Sequence, residues 1–322
     1  MATLQAECQR PRIRAIFSDL DGTLVHFPAW FEEYGSTITS RDPDGKTAIV
    51  RSPSGEERVC RLLPSSTMGD GLVSERTIAL VDELRRRGIL FCVVTAARKS
   101  TLLERYPMLP AADAAVCETG SRIFRGSLDN QDYVWPKRFE HITGSLDREL
   151  DVRLRPEPLW QFFRKLESEV PGLKCDSRSY YGCFRVDTKG DSGVEAALRA
   201  CIADGLPPEV NWAMNLGKFD FFPASSGKGN AVAYLQAEFN VAPEECVCLF
   251  DDDNDLPMAQ LCGVHFLPGL TSQSVQRAAM EHPTWHVASA AGQGVFAIEE
   301  CLEKILERVE QEQTGGAQSA TV

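Results

Sequence analysis

The chain has 322 residues, 43% hydrophobic and 25% charged, which suits a core domain with one sizeable insertion, or two ordinary domains. Lys and Arg number 34 against 46 Asp and Glu, a formal net charge of −12, so nucleic acid and anionic membrane are excluded as expected partners. No run reaches membrane-span length, and Met1 to Arg14 holds Glu7 and no apolar leader core, so neither a membrane span nor a signal peptide is expected. The 11 cysteines, several inside apolar runs (Cys92, Cys246, Cys248), read as reduced thiols of a cytoplasmic protein.

In chain order, Arg14 to Ser18 is a short apolar run ending at Asp19 and reads as a buried strand. From Phe27 to Leu72 no strong helix is predicted. Ala48 to Arg51 and Arg58 to Leu63 flank Ser52-Pro53-Ser54-Gly55 and predict a β-hairpin, expected to lie over the active-site mouth. Ser74-Glu75 opens a helix that Gly88 stops, Ile89 to Val94 is a second strand, and a helix covers Lys99 to Arg105. Ala114 to Cys117 is a third strand. From Phe124 to Gly217 a second α/β stretch is predicted, with a helix at Leu159 to Glu169 and a strand near Tyr181 to Val186. Gly227 to Phe239 reads as a helix, Cys246 to Phe250 and Val264 to Leu267 as strands, and Ile298, Leu302, Ile305 and Val309 mark a closing helix.

This alternation predicts an α/β fold: a Rossmann-like parallel sheet core with helices on both faces, plus an inserted α/β cap domain. The expected boundaries are 12–123 and 218–310 for the core, with a hairpin-containing insertion at about 27–72. The cap spans 124–217 and a disordered polar tail 311–322.

Ligands of parallel sheets bind beyond the carboxyl ends of the strands. The first apolar run leads into Asp19-Leu20-Asp21-Gly22-Thr23, the second ends at Thr95, and the fourth runs into Asp251-Asp252-Asp253-Asn254-Asp255. Ser226-Gly227-Lys228-Gly229 opens a helix. Carboxylates at two strand ends, a hydroxyl and a lysine suit phosphoryl transfer. Oxygen-rich sites select Mg²⁺, a carboxylate can attack phosphorus, and its charge must be neutralised by metal and lysine. A second acid two residues on faces the same side of an extended chain and can act as general acid and base. Gly227-Lys228-Gly229 lacks the upstream glycine and following Ser or Thr of a nucleotide-binding P-loop. The five histidines have no convincing ligand spacing and read as structural.

Asp19 to Thr23, Thr95, Lys228 and Asp251 through Met258 resemble the four signature motifs of the haloacid dehalogenase (HAD) superfamily. Phe219 to Pro223 followed by Gly227 to Leu235, with Tyr106 to Pro110 and Glu118 to Ile123, is similar to its sucrose-phosphate phosphatase-like and Cof-type branch, which carries an α/β cap. The second motif differs from that branch's usual Thr-Gly-Arg, reading Thr95-Ala96-Ala97-Arg98, and Phe250 stands where a glycine usually precedes the fourth-motif Asp. The resemblance implies a phosphomonoester hydrolase acting on a small phosphorylated metabolite, a sugar phosphate, through an aspartyl-phosphate on Asp19. It implies Asp21 as general acid and base, and Thr95, Lys228 and Asn254 at the phosphate. It implies Mg²⁺ bound by Asp19, the Asp21 carbonyl and Asp251, with Asp255 acting through water or orienting Lys228. A sugar phosphomutase or a non-catalytic sugar-phosphate sensor are the alternatives. Arg178, Tyr180, Tyr181 and Arg185 are the candidate substrate contacts in the cap. Asp252 and Asp253 have no assigned role.

Overall fold

The computed structural model describes residues 12–64 and 68–319. Most of the N-terminal segment read for a leader, and the last three residues of the expected tail, lie outside them. The parallel sheet is present. Its eight strands run His286–Val287, Val264–Leu267, Cys246–Leu249, Ala15–Ser18, Leu90–Val94, Ala114–Cys117, Arg122–Arg125 and Ser127–Gln131. The first six are mutually parallel and the last two antiparallel.

Strand alternation divides the apolar residues between two layers. Ala15 and Phe17 pack with Ala231, Val232 and Leu235 of the helix Gly227–Phe239. Ile16 packs on the opposite face with Val81 and Leu84 of the helix Glu75–Arg86 and with Ile298, Leu302 and Ile305 of the closing helix. Ser74 caps Glu75–Arg86 by accepting from the Thr77 amide, and Gly88, at φ 84°, ends it in the left-handed region. The closing helix, Val295–Ser319, extends well into the segment whose composition predicts disorder. Glu312 accepts from the Ile13 amide and Gln313 donates to the Arg87 carbonyl, so tertiary contacts hold its polar end. No helix among the described residues is long and apolar enough to cross a membrane.

The insertion forms an antiparallel sheet of Thr37–Arg41, Thr47–Arg51, Glu57–Leu62 and Leu72–Ser74, with the predicted hairpin at its centre. That hairpin does not cover the active site. Ala48, Val50 and Cys60 pack against Phe31, Val295 and Phe296, and Arg58 donates to the buried carboxylate of Glu299 at 2.7 Å. Its apolar face is therefore committed to the closing helix. From the described part of the insertion, Pro64 and Met68 reach the cleft at the carboxyl ends of the core strands.

A third sheet, in the order Lys174–Asp176, Phe184–Asp187, Lys218–Pro223 and Val210–Asn215, is wholly antiparallel. Its edges differ from the sequence boundaries in two places. Lys218–Pro223 belongs to this small sheet and not to the core, whereas Arg122–Arg125 and Ser127–Gln131 extend the core sheet beyond residue 123. Phe219 and Phe221 turn toward the helix Pro158–Glu169, where Phe162 lies 5.5 Å from Phe221, and Phe184 stacks on Phe221 at 4.9 Å. The opposite face carries Lys174, Asp176, Arg185, Asp187, Lys218 and Asp220, with Phe222 and Ala213 packed against Tyr180 and Cys183 at one end.

A close backbone contact seats the helix Gly227–Phe239 on the core. Gly120 has φ 87°, and a Cβ there would collide with the backbone of Gly227, one residue before Lys228. Gly120→Ala should therefore cost at least about 1 kcal/mol, combining left-handed strain with overpacking. Urea unfolding followed by tryptophan fluorescence checks this through a lowered midpoint.

Candidate active site

Asp19 and Asp251 follow neighbouring parallel strands, Ala15–Ser18 and Cys246–Leu249, on either side of the point where strand order reverses. The Asp19 amide donates to the Leu249 carbonyl at 2.9 Å, which fixes the register that brings the two carboxylates together. Gly22, at φ 100°, turns the chain directly above Asp251, and a Cβ there would collide with the Asp251 carboxylate. Thr23 donates to Asp251 Oδ1 at 2.6 Å.

Lys228, in the first turn of Gly227–Phe239, reaches Asp19 Oδ1 at 2.5 Å, Asp255 Oδ1 at 2.7 Å and Asn254 Oδ1 at 3.5 Å. All four side chains are buried. Burial opposes the Lys228 charge, but Asp19 and Asp255 outweigh it and raise the ammonium above its ordinary value. Burial raises the Asp19 carboxyl, with Lys228 working against it. Asp255 is pushed up to about 8 by burial and by Asp19. Asp251 stands well above the usual carboxylate range, because it is buried and faces Asp19 and Asp255.

One ammonium against three carboxylates leaves negative charge uncompensated in a dry site. Asp19, Asp251 and Asp255 each offer an oxygen within 4.8 Å of the others, and Asp251 Oδ2 is buried without a hydrogen-bond partner. An orphaned carboxylate oxygen in an all-oxygen donor set is what a hard divalent cation fits. The Asp21 carboxylate lies outside this cluster.

Asp21 lines the cleft and accepts from Arg105 Nη1 at 2.7 Å. Arg105 ends the helix Lys99–Arg105, is 2% exposed, lies over the Phe27 ring and has no partner for Nη2. The sequence reading did not single it out, since an arginine in a helix's last turn carries no local signal. Thr95 lies at the cleft floor, where its hydroxyl accepts from the Ala97 amide at 3.0 Å. The extra acids of the fourth motif have structural partners. Asp252 accepts from the Leu216 amide of the small sheet at 2.9 Å, and Asp253 accepts from the Ser272 and Ser274 hydroxyls.

The cleft, about 310 Å³, lies between the core strand ends and the polar face of the small sheet. Arg178, Tyr180 and Arg185 line it. Arg185 is held bidentate by Asp220 at 2.6 and 2.7 Å, and Arg98 lies over the Tyr180 ring at 4.7 Å. Tyr181 does not line the cleft, because its ring lies beside the guanidinium groups of Arg122 and Arg155. Ser179, at φ 57°, lies just before these tyrosines in a segment outside the sheet, so strand alternation does not govern which one faces the ligand. Lys174, Lys218 and Asn215, missed in the sequence reading, join the cleft from the small sheet.

A HAD-type phosphatase fold with its strand-end carboxylates is thus in place. The family model for sucrose-6F-phosphate phosphohydrolase matches residues 65–310, and the chain belongs to that family within the HAD superfamily. It is therefore a phosphoric monoester hydrolase by class, and HAD phosphatases generally use Mg²⁺. None of the curated proteins compared with it matches in sequence.

Similar solved structures include the sucrose-phosphatase of Synechocystis sp. PCC6803, in complex with sucrose and phosphate. It is 14% identical at TM-score 0.57, covering 91% of this chain and 98% of that one. SMU.1108c of Streptococcus mutans UA159 is 15% identical at TM-score 0.57, covering 92% and 99%. The HAD phosphatase BT1666 of Bacteroides thetaiotaomicron is 17% identical at TM-score 0.51, covering 95% and 99%. At these identities the structures establish a shared fold.

Lys228→Met would leave buried carboxylates unpaired and should cost on the order of 3–5 kcal/mol in metal-free protein at neutral pH. The deficit should shrink toward about pH 5. Asp255 is raised in the folded state, so it favours unfolding as pH climbs from the ordinary carboxylate range through about 8, and losing the lysine strengthens that bias. Urea midpoints of both proteins in chelator at the two pH values measure the difference.

Proposed function

We propose that this protein hydrolyses a small phosphorylated metabolite, a sugar phosphate, with Asp19 as nucleophile. The observation that carries this reading is the convergence of Asp19, Asp21, Thr95, Lys228 and Asn254 on one cleft walled by a second, polar sheet. Sucrose-6F-phosphate phosphohydrolase membership supports a sugar as the organic part.

The Asp19 carboxylate attacks phosphorus, the bond to the sugar oxygen breaks, and the phosphoryl group rests on Asp19 as an acyl phosphate. Asp21 gives its proton to the departing oxygen and afterwards takes one from the water that hydrolyses the intermediate. Arg105 fixes the direction of the Asp21 carboxylate from its buried seat. Lys228 and Thr95 hold phosphoryl oxygens, Asn254 lies beside them, and Asp255 keeps Lys228 oriented. Asp19 and Asp251, with the main-chain carbonyl of Asp21 and Asp255 nearby, would hold Mg²⁺, whose charge offsets the repulsion between carboxylate and phosphate when bound. The described cysteines are all free, which supports a reducing, cytoplasmic setting.

With Mg²⁺ present, phosphate release from a panel of sugar monophosphates should be readily measured, with no isomeric sugar phosphate accumulating. Asp19→Asn should lower kcat by about 10³-fold or more, since the nucleophile itself is lost. Full activity of that variant, or isomer formation without phosphate release, would contradict this reading.

A further inference from the structure

The wall of the cleft facing the catalytic aspartates is made by the four antiparallel strands of the small sheet, whose polar residues fall on one face. Lys174 stands opposite Asp187, Asp176 opposite Arg185, and Arg185 opposite Asp220. Every carboxylate of this wall is already engaged. Asp220 accepts both bonds of Arg185 and a third from Asn215 at 2.8 Å. Asp176 accepts from Arg98 at 3.0 Å and Arg178 at 3.1 Å. Asp187 accepts from the Lys189 amide at 2.8 Å and lies 3.7 Å from the Lys218 ammonium.

The cations are not balanced in return. Arg98 and Arg178 share one carboxylate, and the Lys174 ammonium has no ionic partner among the described residues. The remaining acids of the cleft, Glu104, Asp252 and the catalytic aspartates, belong to the core-side wall. A protein of net charge −12 therefore places a local excess of positive charge beside the substrate.

Sugar hydroxyls both donate and accept, and a wall built for them offers free acceptors. Here the wall's carboxylates are engaged, leaving neutral acceptors such as Asn215 and Tyr180, while lysine and arginine N–H groups remain. Their complement is a group that only accepts, and an ionised one gains most from charge-assisted bonds.

We propose that this wall binds a second anionic group on the substrate, a carboxylate or a second phosphate, with Lys174 as the principal contact and Arg178 beside it. The inference rests on the sugar-phosphate reading and narrows it to acidic or doubly phosphorylated sugars.

The test compares kcat/KM for glucose 6-phosphate with 6-phosphogluconate and fructose 1,6-bisphosphate, using p-nitrophenyl phosphate as a sugar-free reference. At least one sugar with a second anionic group should be preferred over glucose 6-phosphate by about tenfold or more, and the two acidic probes tell carboxylate from phosphate. Lys174→Glu should abolish most of that preference through KM, and Lys174→Arg should retain it. Raising ionic strength should weaken binding of the preferred sugar more steeply than that of glucose 6-phosphate. Equal or better turnover of glucose 6-phosphate, or an unchanged preference in Lys174→Glu, overturns the subsite and leaves the sugar phosphatase standing. Hydrolysis of p-nitrophenyl phosphate with no sugar phosphate turned over overturns the sugar reading, and the subsite falls with it.

Discussion

A single buried ammonium set among three buried carboxylates is the constraint around which this protein is built. Lys228 cannot neutralise Asp19, Asp251 and Asp255 together, and none of them has bulk water to screen it. The local fold follows from holding those groups at that spacing. Two adjacent parallel strands deliver Asp19 and Asp251, and Gly22 turns where no side chain would fit over Asp251. Gly120 and Gly227 let the start of the lysine-bearing helix come close. The residual negative charge and the orphaned Asp251 Oδ2 make this cluster a donor set that a hard divalent cation fits.

The small antiparallel sheet faces the carboxylates across the cleft. Its apolar face, with Phe184, Phe219 and Phe221, is buried against its own helix, so its polar face is left to form the opposite wall of the cleft. Contacts from the core hold that wall in place. Asp252 accepts from Leu216, Arg98 pairs with Asp176, and Glu118 accepts from the Tyr181 and Gly182 amides at 2.9 Å each. Asp252 of the fourth motif thus ties the small sheet to the core.

Much of the catalytic end was legible in the sequence because it obeys short-range rules. Apolar runs at Ala15 to Ser18 and Cys246 to Leu249 end in acids, and strand ends are where parallel sheets bind ligands. What stayed hidden depends on long-range placement. Phe219 to Phe222 is apolar enough to pass for a core strand, yet it pairs within the small sheet. The hairpin at 48–63 has an apolar face, but only the tertiary structure shows that Val295 and Phe296 cover it. Arg105 meets Asp21 across 84 positions of sequence, and nothing near either residue announces the pair. The polar composition beyond Gln311 suggests disorder, while bonds to Ile13 and Arg87 keep the helix going.

Titrating metal-free protein with Mn²⁺ and counting bound ions by electron paramagnetic resonance shows whether buried carboxylates that outnumber their lysine create one cation site. One tightly held ion per chain is expected at neutral pH, displaced by Mg²⁺ and lost in Asp251→Asn. No tight ion, or one held unchanged by that variant, would contradict it.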